Sequence, residues 1–178
     1  MSEGKESKTD RTRSIRETDR SELKRRAGEW AVDRFVEDGM IIGLGHGSTA
    51  AFAVARIATR LREGRLKSIL AVPCSTEVAQ AAERLGIPLT TLDRHPKIDL
   101  TIDGADEVDP DLNLIKGGGG ALLREKIVAS ASEREIIVID AAKLSPSLGI
   151  LFPLPIEVIP FAATLERKYL ESLGAKVT

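Results

Sequence analysis

Cysteine is almost missing from this chain. Cys74 stands alone, so no intrachain disulfide can form, and a reducing compartment, the cytoplasm, is the expected setting. Histidine is scarce too, and two His with one Cys make no credible structural zinc site. Neither sign of charge dominates: 26 Lys and Arg stand against 27 Asp and Glu, a formal net charge of −1. No basic footprint for nucleic acid or an anionic membrane follows from that balance. Apolar runs are short, well under the roughly eighteen residues a membrane span requires, and the N-terminus lacks the apolar core of a secretory signal. What is present suits a packed core. Apolar residues make up 42% of 178 residues, enough for one domain, or one plus part of a second.

Residues 1–20 hold eleven charged residues, with Met1 and Ile15 the only sizeable apolar groups. A disordered polar leader is expected, because so little burial cannot offset the entropy of ordering. Interleaved acids and bases without an aromatic argue against a nucleic-acid arm. From Ser21 the spacing of Leu23, Ala27, Trp30, Ala31 and Phe35 predicts a helix that Gly39 stops. Residues 40–44 read as an all-apolar strand, of the kind covered on both faces. A tight turn over Gly45–Thr49 and a helix over 50–61 follow. A strand is expected at 68–72, then a helix capped by Ser75, with Gly86 at its end. Further strands are expected at 87–91, 98–102 and 135–139, and a helix at 121–131.

Strands alternating with helices imply an α/β fold: a doubly wound, mostly parallel sheet with helices on both faces, over residues 21–150. Residues 151–178 change style. Pro153, Pro155 and Pro160 punctuate them, Thr164 is positioned to cap a helix carrying Leu165, Tyr169 and Leu173, Gly174 closes it, and 175–178 begins like a strand. An incomplete smaller α+β unit is expected there.

Ligands of such sheets bind at the carboxyl ends of the strands. Three groups fall there: Gly45–Thr49, Asp103–Glu107 and Asp140–Lys143. The first turn has two glycines at dinucleotide spacing, but Ser48 replaces the third, and no acid sits at the end of the second strand to hold a ribose diol. A nicotinamide cofactor is therefore disfavoured. Glycines, the Ser48 and Thr49 hydroxyls and a helix N-terminus do suit a small phosphate. Asp103, Asp106 and Glu107 form a cluster open to three readings: a solvated loop, a magnesium site, or proton transfer. Lys116 would compete with a metal. The four glycines after it free backbone N–H groups for an anion. Glu125 lies one to two turns into the following helix, with Arg124 and Lys126 directed elsewhere. Read alone it is a surface acid, and Lys143 a surface lysine. Cys74 is expected to be a buried structural thiol.

Four segments together, Gly45-His46-Gly47-Ser48-Thr49-Ala50, Asp103-Gly104-Ala105-Asp106-Glu107, Lys116-Gly117-Gly118-Gly119-Gly120-Ala121-Leu122-Leu123-Arg124-Glu125-Lys126 and Phe152-Pro153-Leu154-Pro155-Ile156-Glu157-Val158-Ile159-Pro160, resemble ribose-5-phosphate isomerase of type A. The resemblance runs from about Glu22 to the C-terminus. It implies interconversion of D-ribose 5-phosphate and D-ribulose 5-phosphate, with no cofactor or metal, by a homodimer or homotetramer. It implies that Glu125 moves the proton between C2 and C1, and that Asp103 and Asp106, with Gly104 and Ala105 in the same loop, assist ring opening and hold sugar hydroxyls. Lys116 with Gly117, Gly118 and Gly119 would stabilise the enediolate. His46, Gly47, Ser48 and Thr49 would grip the phosphate, with Lys143 and, more loosely matched, Lys24 as further contacts. His46 departs from the family, which usually has Thr or Ser, and is expected to alter affinity or pH dependence. The family also runs on past Thr178. A rival reading is a non-catalytic phosphosugar-sensing domain, which would not need Glu125, Lys116 and both aspartates together.

Overall fold

The computed structural model describes residues 8–178. Its elements are α1 (Lys8–Phe35), β1 (Ile41–Leu44), α2 (Ala50–Arg62), β2 (Leu70–Pro73), α3 (Thr76–Arg84), β3 (Leu100–Asp103), β4 (Glu107–Val108), β5 (Leu114–Ile115), α4 (Leu122–Ser130), β6 (Glu135–Ile137) and α5 (Ala163–Ser172), with 3₁₀ turns at Ala141–Lys143 and Pro160–Ala162. Four strands form one parallel sheet in the order β2-β1-β3-β6. The chain leaves β1 for β2 on one side and returns to β3 on the other. The crevice between the ends of β1 and β3 is thus the switch point at which such sheets bind ligands. The antiparallel pair β4–β5 stands apart from this sheet and carries the chain from Asp103 to Lys116.

Alternation along β1 assigns the two faces. Ile42 and Leu44 join Ala31, Val32 and Val36 of α1 and Ala53, Val54, Ile57 and Ala58 of α2 in the main core. Ile41 faces the other way, toward a smaller cluster of Val72, Cys74, Ile98 and Val128 of α4. Gly43 shares that second face. A Cβ on it would lie 1.9 Å from Thr101 Oγ1 and 2.7 Å from Val128 Cγ1, so its missing side chain is what lets α4 lie against the sheet. Ser75 Oγ accepts from Val78 N at 3.1 Å and caps α3, as expected.

Several expectations need correction. The first helix begins at Lys8, not Ser21, so the leader is helical from residue 8; residues 1–7 lie outside the described residues. Nucleating a helix is costly but propagating one is cheap, and the sequence from Lys8 to Ala27 contains no Gly or Pro to stop it. Leu23 and Trp30 are exposed, because α1 meets α2 through smaller residues. A Cβ on Gly28 would sit 2.9 Å from Ala53 N. The strand expected at 87–91 is reduced to a bridge between Leu89 and Ala71, since Pro88 has no N–H to donate. Thr164 does not cap α5. The 3₁₀ turn opened by Pro160 starts that helix earlier, with Ala162 at the cap, and residues 175–178 pair with no strand. Among the described residues no helix is long and apolar enough to cross a membrane.

Gly43→Ala should cost about 1–3 kcal/mol of stability, as overpacked cores do. Urea unfolding measures this, and a loss below experimental error would show that α4 can retreat from the sheet freely.

Candidate active site

The site begins with the last residue of β3. Asp103 shares the α4 face with Thr101, two residues earlier, and is 1% exposed. Its Oδ1 accepts from His46 N at 3.0 Å and from Gly104 N at 2.7 Å, and its Oδ2 accepts from Lys116 Nζ at 3.0 Å. The turn after β1 is thereby tied to the end of β3. Gly45 makes this possible: a Cβ there would lie 2.3 Å from Asp103 Oδ1.

Lys116 follows β5 and is held by Asp103 and by the carbonyl of Gly104. Its Nζ lies 3.5 Å from Glu125 Oε2. Glu125 sits three residues before Val128, so the packing of Val128 on the sheet turns Glu125 to the same face, inward. It is 6% exposed, and Oε2 has no hydrogen-bond partner. Burial, and then the nearby Asp103 carboxylate, raise its pKa above the ordinary 4.5, with Lys116 opposing. Burial alone would lower the pKa of Lys116, but Asp103 and Glu125 outweigh it and raise the pKa above 10.5. Lys116 therefore stays charged while Glu125 is readied to take a proton.

A second group meets the first across one cavity of about 140 Å³. Lys24 Nζ donates to Ser48 Oγ at 2.9 Å, and Lys143 follows Asp140 on the 3₁₀ turn after β6. Two cations, two hydroxyls and the glycine turn before α2 make an anion-binding corner.

Of the residues singled out from the sequence, Lys24, His46, Gly47, Ser48, Thr49, Gly104, Ala105, Asp106, Lys116, Gly117, Gly119, Glu125 and Lys143 line this cavity. Asp103 lies beneath it, fully engaged with its donors. Gly118 turns its N–H to Asp106 Oδ2 at 2.8 Å instead of into the cavity. Val138, Ile139 and Asp140 also line it. Sequence reasoning noted Asp140 only as the neighbour of Lys143; its signal was an acid at a strand end. His46 Nδ1 lies 3.2 Å from Ser75 Oγ, so its ring leans toward α3. There it separates the cavity from an adjoining polar cleft of about 280 Å³. Cys74 is fully buried, and burial first, then the Asp103 and Glu125 charges, push its thiol up to about 12.

Glu107 does not belong with the proton-handling acids. It is fully buried, and its two oxygens accept from the N–H groups of Gly149, Ile150, Leu151 and Phe152 at 2.9–3.2 Å. Burial opposes its charge, but the Ser145 hydroxyl and these N–H donors prevail and bring its pKa to about 2. Its work is to fix the segment that lays Phe152 against Gly118 and near Lys143, whose Nζ is 5.7 Å from the ring centroid. Among the described residues, no three His, Cys, Asp or Glu side chains group as a metal ligand set.

Residues 70–178 match the family model of ribose 5-phosphate isomerase A (phosphoriboisomerase A). The chain belongs to this family. It is 57% identical over 161 residues to the ribose-5-phosphate isomerase A of Desulfatibacillum aliphaticivorans, covering 90% of this chain and 70% of the relative. A ribose 5-phosphate isomerase structure from Plasmodium falciparum shares 46% identity with a TM-score of 0.82, over 84% of this chain and 64% of that one. A D-ribose-5-phosphate isomerase solved with phospho-erythronic acid shares 42% identity with a TM-score of 0.85, over 87% of this chain and 67% of that one. The chain thus spans about two thirds of the length of these isomerases, and the parallel sheet flanked by helices is theirs too.

Glu107→Gln should melt at a lower temperature than the parent at neutral pH. The folded-state pKa is depressed, so the carboxylate stabilises above pH 4.5, and that contribution is lost as pH falls toward about 2. The Tm gap between variant and parent, followed by circular dichroism, should shrink over that window. A gap independent of pH would remove the charge from the account.

Proposed function

We propose that this chain interconverts D-ribose 5-phosphate and D-ribulose 5-phosphate, with Glu125 as the base. The observation that carries the reading is the buried, unpartnered Oε2 of Glu125 beside the charged Lys116, in a cavity whose other corner is built for an anion. Phosphate bound by Ser48, Thr49, Lys24 and Lys143 holds the open-chain sugar with its reacting carbons at Glu125. Glu125 takes the proton from C2 of the aldose, and the electron pair moves into the C1–C2 bond as the aldehyde oxygen becomes an oxyanion. Lys116 and the N–H groups of Gly117 and Gly119, the loop glycines that line the cavity, stabilise that charge, at about 2.7–4 kcal/mol per donor in comparable sites. Glu125 returns the proton to C1 of the cis-enediolate, and a proton passes from O2 to O1 to complete the ketose. The two carbons are adjacent on one face, so one carboxylate serves both. Asp106 meets the sugar hydroxyls and supports ring opening. Asp103 acts through Lys116, as a positioning residue.

A homodimer or homotetramer and a cytoplasmic setting belong to the same proposal. Phe161, Leu154 and Ile159 are largely exposed, which supports an association face on residues 150–173. A sensing module would have no use for a buried carboxylate oxygen that accepts no hydrogen bond.

Glu125→Gln should lower kcat by about 10²–10⁴, the usual contribution of a positioned base, while ribose 5-phosphate still binds. Because burial disfavours the charged carboxylate, the variant should unfold no more easily than the parent. Retained turnover would misplace the base. In the parent, kcat/KM should fall on the acid side with an inflection above pH 4.5, since Glu125 must be unprotonated to accept the proton. Turnover should also persist in excess EDTA; loss reversed by magnesium would move the acids onto a metal.

A further inference from the structure

Asp140 is an acid in the wall of a pocket read as binding a phosphate dianion. It is 8% exposed and stands at the carboxyl end of the sheet, three residues past the end of β6. Left bare, such a carboxylate would repel the ligand. It is not bare. Oδ1 accepts from Ala142 N at 3.0 Å and from Arg20 Nη2 at 3.4 Å. Oδ2 lies 3.3 Å from Arg20 Nε and 4.0 Å from Lys24 Nζ. The same Lys24 ammonium donates to Ser48 Oγ at 2.9 Å. The Asp140 carbonyl accepts from Lys143 N at 3.0 Å, so this one residue also shapes the turn that presents the second cation of the pocket.

The position of α1 explains why the contact matters. The core holds this helix through Ala31, Val32 and Val36, and Gly28 abuts α2. Arg20 lies about 12 Å along the axis beyond Gly28 at the standard helical rise. Its side chain is 54% exposed. The pair Arg20–Asp140 is therefore a tie that holds this part of α1 against the pocket, and Lys24 with it. A lysine stem is flexible and loses rotamer freedom when ordered, so an uncharged neighbour would leave Lys24 in solvent for much of the time.

We propose that Asp140 is a positioning residue of the phosphate corner and that Arg20 is its charge partner. Asp140 holds Lys24 at Ser48 before substrate arrives, and the Arg20 guanidinium neutralises the carboxylate so that the dianion meets net positive charge. The proposal rests on reading this cavity as a phosphosugar site and extends it to two residues outside the family's motifs.

Asp140→Asn keeps the side-chain oxygen that caps the 3₁₀ turn and removes the charge. It should raise KM for ribose 5-phosphate about tenfold, the loss of one charge-assisted contact, with kcat within about twofold of the parent. The Kd of inorganic phosphate, read by calorimetry, should rise by the same factor. Arg20→Gln changes an exposed side chain and so leaves folding intact. It should raise both constants about threefold in the parent and not at all in Asp140→Asn, since the two residues act as a pair. Unchanged or tighter phosphate binding in Asp140→Asn would overturn the proposal, as would an Arg20→Gln effect of equal size in both backgrounds. A fall in kcat without a change in KM would also overturn it, by making Asp140 a general support of the fold. The calorimetric arm does not need turnover: a parent that binds phosphate but does not isomerise defeats the reaction assignment and leaves this test running, whereas a parent that binds no phosphate at millimolar concentration defeats this proposal.

Discussion

The site depends on one carboxylate that never reaches the cavity. Asp103 is buried at the end of β3 and spends its oxygens on two backbone N–H groups and one ammonium. A buried ion pair is a doubtful source of stability, because desolvating two charges costs as much as their attraction returns. What this one gives is geometry. It welds the turn after β1 to the end of β3, and it stands Lys116 where Glu125 can feel it. Gly45 is the condition for all of this, since any larger residue would occupy the place of the carboxylate.

Around that weld the charges are arranged in a gradient of satisfaction. Asp103 has three donors, Lys116 has Asp103 and a carbonyl, and Glu125 has only a 3.5 Å approach to Lys116. The least satisfied of the three is the one proposed above as the base. Such local frustration is tolerable because the sheet behind it, with β1 paired on both sides and covered on both faces, is fully consistent in pattern, packing and register.

Much of this was legible in the residues. All-apolar or alternating runs marked the parallel strands, and Ser75 announced its helix. The glycine turn, Asp106, Lys116 and Glu125 come together in space although up to about eighty positions separate them, as expected of elements that all end on one edge of a parallel sheet. The failures have physical causes. Local pattern gave no sign that Glu107 would collect four backbone donors from residues 149–152, because the partners are remote and carry no side-chain signature. The two-residue strands β4 and β5 are too short for a period to show. The spacing of Leu23 and Trp30 marks the helix, but both side chains are exposed on it, while Gly28 and other small residues let α1 lie close to α2. The polar run before them reads as unable to fold alone, and it continues a helix that packs elsewhere. Asp140 falls in one of the three strand-end groups, but its charge pairing leaves no local trace because its partners, Arg20 and Lys24, sit at the far end of the sequence.

Cys74 lies under the same edge of the sheet, wholly shielded, with its N–H on Leu44 and Val128 packed in its cluster. A thiol so deep and so reluctant to ionise is invisible to alkylating reagents while the strands and α4 stay together. Its modification must wait until that edge of the protein opens. The single cysteine is thus a clock placed by nature under the candidate site, one that records how often the ground beneath Glu125 gives way without any label having to be engineered in.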